Sequence, residues 1–160
     1  MKSLRILFLT LVFPMIMVAC TGTSNSTPVA GEENPSTQAG ASAGSWGEGT
    51  LLVDDQGSVT VEVTPLNPAN PGETLDFQIV LDTHSVDLSM NLAELASLTT
   101  DTGKTVQAVK WEAPLGGHHV EGTLSFPVEV NNTPLLEEAA TLTLTIVNLD
   151  APTRTFVWGR

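Results

Sequence analysis

The chain has 160 residues, room for one domain and little more. It sets 6 basic side chains against 18 acidic ones, a formal net charge of −12, which repels nucleic acid and anionic headgroups and favours cationic ligands, metal ions among them. The one cysteine, Cys20, excludes a disulfide or thiolate metal centre from the domain, so core burial alone has to hold it together.

Residues 1–19 read as a secretory signal peptide. MKSLR supplies two positive charges, and ILFLTLVFPMIMVA is an apolar run interrupted by Pro14, too short for a membrane-spanning helix. The run ends at Ala19-Cys20 and resembles the lipobox of bacterial lipoproteins, with Met17 where that family usually places Leu. The resemblance covers the first twenty residues. It implies cleavage before Cys20, lipidation of Cys20 and attachment to the membrane through that lipid, in the extracytoplasmic cell envelope. Lys2 and Arg5 leave with the signal, so Lys104, Lys110, Arg154 and Arg160 then face every acid of the chain. Residues 20–47 are small and polar with little to bury, which predicts a disordered, lipid-anchored linker. Its r.m.s. reach is roughly 25–30 Å, at about 5–6 Å times √n. Within it, Gly40-Ala41-Ser42-Ala43-Gly44 spells G-x-S-x-G but lacks the strand before and helix after that a hydrolase elbow needs.

The domain is expected over 48–160. Leu51 to Val53 predict a short strand, and Asp54 to Gly57 a turn. Val59, Val61 and Val63 alternate with polar residues, the period of a half-buried strand. After the proline-rich loop 65–73 comes the most regular segment, in which Leu75, Phe77, Ile79 and Leu81 share one parity and only Val80 departs from the alternation. Phe77 and Ile79 are therefore expected in the core. Past Asp82 the apolar residues change parity to Val86, Leu88 and Met90, which requires a bulge, a bend or a strand end. Asn91 caps a single helical turn with Leu92 and Leu95 facing inward. Ser97–Thr100 and Thr105–Trp111 predict a hairpin around Asp101-Thr102-Gly103. After the loop 112–117, Val120, Leu124 and Phe126 share a parity. Leu142, Leu144 and Ile146 alternate with threonines. The last strand, Thr153–Trp158, buries Phe156 and Trp158 in preference to Val157, on apolar area.

Seven or eight short strands with frequent turn signals predict an all-β fold, an immunoglobulin-like β-sandwich, with a small barrel as the other closure. The likeness to immunoglobulin-like surface modules is architectural, lacks their Cys-Trp-Cys core and implies no particular function. DTHSVDL and GGHHxxGxLxF are similar to motifs of exported microbial proteins without an established activity, over roughly Val59 to Phe126.

Every histidine lies in one of two motifs, His84 in DTHSVD and His118 and His119 in GGHHVEG. Parity puts His84 and His118 at the rims of core-facing columns, with His119 and Glu121 pointing the other way. A polar ring on an apolar face needs a partner, which predicts that the two motifs meet in space. With Asp82 and Asp87, His84, His118 and His119 form a candidate metal set; imidazole with carboxylate, and the Met90 thioether beside them, suits copper or zinc better than calcium. The alternative is a structural latch of hydrogen-bonding histidines. No nucleophile motif or phosphate loop is present, so no enzyme is expected. Trp46, Trp111 and Trp158 offer a sugar-stacking platform or, more simply, core. The function expected is a binding module for a protein or metal-ion ligand, with envelope handling of copper or zinc as the alternative.

Overall fold

Alternation becomes burial with few exceptions. The structure, a computed structural model, describes residues 46–160. The signal peptide, Cys20, the linker and the G-x-S-x-G stretch lie outside them. In chain order the strands are β1 (Leu52–Asp54), β2 (Val59–Pro65), β3 (Thr74–Thr83), β4 (Ala96–Thr100), β5 (Thr105–Gln107), β6 (Lys110–Glu112), β7 (His119–Pro127), β8 (Glu129–Val130), β9 (Thr133–Pro134), β10 (Thr141–Val147) and β11 (Thr153–Gly159). One 3₁₀ turn, Leu92–Glu94, precedes β4; Asn91 caps it by accepting from the Ala93 N–H at 3.1 Å.

Two antiparallel sheets form the sandwich, β1-β2-β3-β7-β6 and β11-β10-β4-β5, with β8 and β9 as a separate hairpin. If β2, β3, β4, β5, β6, β7, β10 and β11 are lettered A, B, C, C′, D, E, F and G, the sheets read A-B-E-D and G-F-C-C′. That is the immunoglobulin-like connectivity, with β1 added at one edge and the β8–β9 hairpin inserted between E and F. Leu75, Phe77, Ile79 and Leu81 of β3 are all buried, as are Leu142, Leu144 and Ile146 of β10. Phe77 joins the layers: its ring lies 5.7 Å from Phe126 in its own sheet and 5.4 Å from Trp158 in the other.

Two expectations change, and one element is added. Thr105–Trp111 is two strands, because the chain crosses between sheets. The Ala108 N–H bonds Ala96 O of β4 at 3.0 Å, and the next N–H, of Val109, bonds Ser125 O of β7 at 2.9 Å. The packed domain also reaches back past Glu48 to Trp46, which is buried with Arg160 over its ring. With Trp158 buried as well and Trp111 half-buried, the tryptophans form no open platform. Finally, the β8–β9 hairpin turns on Asn131 and Asn132, whose φ values of 51° and 63° are those of a two-residue primed turn.

The unexpected core residue is Arg154, with 0% exposure. It shares parity with Phe156 and Trp158. Its guanidinium donates to Leu149 O (3.0 Å), Gln56 O (2.6 Å) and the backbone and carboxylate of Asp54. This one side chain ties the β1–β2 turn to the β10–β11 turn. Desolvation pushes the Asp54 carboxyl up, but hydrogen bonds from Gln56 and the Arg154 charge outweigh it and hold it below its ordinary value. Gly57, in the same turn, has φ 68°, and a β-carbon there would lie 2.5 Å from Asp150 O, so only glycine fits.

Candidate functional site

The register of β3 against β7 pairs Asp82 with His119, so DTHSVD and GGHHVEG do meet, at one end of the first sheet. Backbone bonds extend the junction beyond the strands, from Thr83 N–H to His118 O at 2.9 Å and from Leu88 N–H to Gly117 O at 3.3 Å. Thr83 terminates β3. It takes the last inward position, its hydroxyl donates to Ser58 O at 2.7 Å, and it accepts from the Ser85 and Val86 N–H groups at 3.3 Å. The parity change after Asp82 is therefore a strand end.

That ending relocates two histidines. His84 follows the last inward residue of β3 and is exposed. It borders a shallow recess of about 170 Å³ with Ser58, Thr60, Asp82 and Thr83. His118 precedes the first residue of β7 and is also exposed, because Gly116 and Gly117, with φ 71° and 107°, turn the backbone before strand geometry begins. Neither ring is at a core rim. His119 does point outward, as parity requires, and its Nδ1 lies 2.6 Å from Asp82 Oδ1. The Asp82 hydrogen bond and charge, with smaller contributions from Glu121 and Glu62, raise the His119 imidazole above its ordinary value of 6.5 against a slight desolvation. Gln78 Nε2 donates to Glu121 Oε1 beside this pair. Asp87 sits apart, accepting from Ser89 Oγ at 3.1 Å and facing Gly116. Among the described residues, no three His, Cys, Asp or Glu side chains gather into a group able to hold a metal ion. The junction is a hydrogen-bonded latch with one imidazole–carboxylate pair on its outer face.

Beside the latch lies a cleft of mixed lining. The loop after β3 and the β6–β7 loop border about 290 Å³, with Leu88, Met90, Trp111, Ala113, Pro114 and Leu115 interleaved with the polar Ser89 and Asn91. Leu88 is buried, while Met90, Trp111 and Ala113 are half-buried. Leu115, by contrast, is 93% exposed at the loop tip. Gly122 makes the wall: a β-carbon there would stand 2.5 Å from Ala113 Cβ and 2.8 Å from Trp111 Cη2, so glycine lets β6 and the Trp111 ring close over β7. The sequence reading missed this cleft, because Leu115 and Pro114 lie in a loop with no period; the apolar Leu115 beside a glycine pair was the only signal.

The latch lies at the end of the sheet where Val59 pairs with Thr83, and the cleft runs from Leu88 beside it along the β6 edge to Trp111, which pairs with Leu124 opposite Phe77. Trp46 and Gly49 lie toward the other end, where the Gly49 N–H bonds Pro65 O at 2.9 Å and Pro65 pairs with Phe77. No family model, curated protein or solved structure matches the chain. No helix of the described residues is long and apolar enough to cross a membrane.

Proposed function

We propose that the protein is a lipid-anchored, extracytoplasmic β-sandwich that works as a binding module. The observation that carries this reading is the cleft along the β6 edge beside the histidine latch, with Leu115 exposed at its mouth. With Cys20 as anchor, the linker expected from the sequence, with a reach of roughly 25–30 Å, lifts the domain off the membrane without fixing its orientation. No catalytic role is assigned to any residue. Copper or zinc held by His84, His118 and His119 is a weaker reading, since only Asp82 and His119 converge to contact distance.

Photo-crosslinking in intact cells tests it. A photoreactive side chain at Leu115 should give a discrete adduct, whereas one at Val157, exposed on the opposite sheet, should give none. Equal labelling from both positions, or none from either, overturns the reading. In parallel, calorimetric titration with zinc or copper should show no saturable binding that depends on His84 and His118; such binding would restore the metal alternative.

A further inference from the structure

Resting on that reading, we infer that the cleft between the loop after β3 and the β6–β7 loop docks a polypeptide segment that carries an aliphatic side chain flanked by lysine or arginine. The cleft is polar and apolar in about equal measure, and its apolar side chains supply half of that specificity. Leu88 forms its floor, Met90 adapts to the shape of an inserted side chain, Trp111 gives a rigid wall, and Leu115 stands free to fold over an occupant.

Charge supplies the other half. Residues lining the cleft hold carboxylates at its rim: Ser89 donates to Asp87 at 3.1 Å, and Asn91 Nδ2 donates to Glu94 Oε1 at 2.9 Å. Glu112, between Trp111 and Ala113, is matched by Lys110 at 2.8 Å; among the described residues no cation is in salt-bridge contact with Asp87 or Glu94. Elsewhere the bases of the described residues are engaged. Arg154 is buried with Asp54, Lys104 donates to Pro134 O at 2.7 Å beside Glu137, and Arg160 covers Trp46. The rim therefore asks for cations that the described residues do not provide. A second copy would bring like charge against like, and an anionic membrane surface would be repelled in the same way.

The test uses the full chain in detergent and a short peptide of alternating lysine and leucine, with two companions in which glutamate replaces lysine or serine replaces leucine. The lysine–leucine peptide should bind at least about tenfold more tightly than either companion, and more weakly as salt rises. Leu115→Ser, at an exposed position, should keep the melting temperature yet weaken binding by about tenfold, and Asp87→Asn with Glu94→Gln should flatten the salt dependence. Unchanged binding by Leu115→Ser, or equal binding of the serine companion, overturns the inference by reducing it to attraction to the acidic surface at large. Self-association lost in Leu115→Ser overturns it in favour of a second copy. A crosslink from Leu115 without peptide binding leaves the binding module standing and removes this partner chemistry; absence of both removes both.

Discussion

Two charged pairs mark the extremes of what a single residue contributes here. His119 and Asp82 are largely exposed, with the imidazole raised by its carboxylate. A raised folded value means that the stabilisation is fully present below the unfolded value of about 6.5 and is lost as pH rises through the folded one. The melting temperature of the native protein should therefore exceed that of His119→Gln on the acidic side, and the gap should close in alkali. Asp82→Asn should move the His119 NMR titration midpoint down, and an unmoved midpoint would refute the pair. Solvent screens this contact, so the effect is small. Arg154 is the opposite case. Asp54→Ala leaves its guanidinium buried with carbonyls alone, which should cost about 3–5 kcal/mol in a denaturation experiment. The parity of Arg154 was legible in the sequence; its burial was not, because Asp54 lies 100 residues away along the chain.

Strands were the legible elements, since a two-residue period with one apolar face survives folding as a burial pattern. β2, β3 and β10 follow it at nearly every position. Legibility fails where the period is broken by tertiary demand. The crossing from β5 to β6 occupies two residues, Ala108 and Val109, too few to interrupt a pattern. Parity misplaces His84 and His118 because it is carried forward past Thr83, where β3 ends, and back beyond His119, where β7 begins. Their motifs nonetheless meet, because β3 and β7 are neighbours in register. Two substitutions check the packing of these elements. Phe77→Ala, at the contact of the two sheets, should cost about 3–5 kcal/mol. Gly122→Val forces a side chain against Trp111 and the β6 backbone; overpacking of this kind costs typically 1–3 kcal/mol, and an unchanged melting curve would show that β6 does not sit closely on β7.

At the scale of the whole molecule, the ends of the sandwich differ in kind. One holds Trp46, Trp158 and Arg160 in a packed corner. The other presents the histidine latch and, at its shoulder, the cleft with Leu115. The anchor we propose is Cys20, read from Ala19-Cys20 after an apolar run, and the linker between it and Trp46 leaves the orientation of both ends free. Each acyl CH₂ buried in the bilayer contributes about 0.8 kcal/mol, and stable attachment needs two chains or a second signal. The protein's surface is no such second signal, because its acidic charge repels anionic headgroups. Attachment should therefore depend on Cys20 alone. Cys20→Ala should leave the protein unprocessed or released, measured by fractionation and by the mass of the mature N-terminus. The released form should keep the native melting temperature, because the core cluster of the described residues runs from Trp46 to Trp158. Normal processing with full membrane retention in Cys20→Ala would show that another feature holds the protein at the membrane, and the lipid anchor would be refuted.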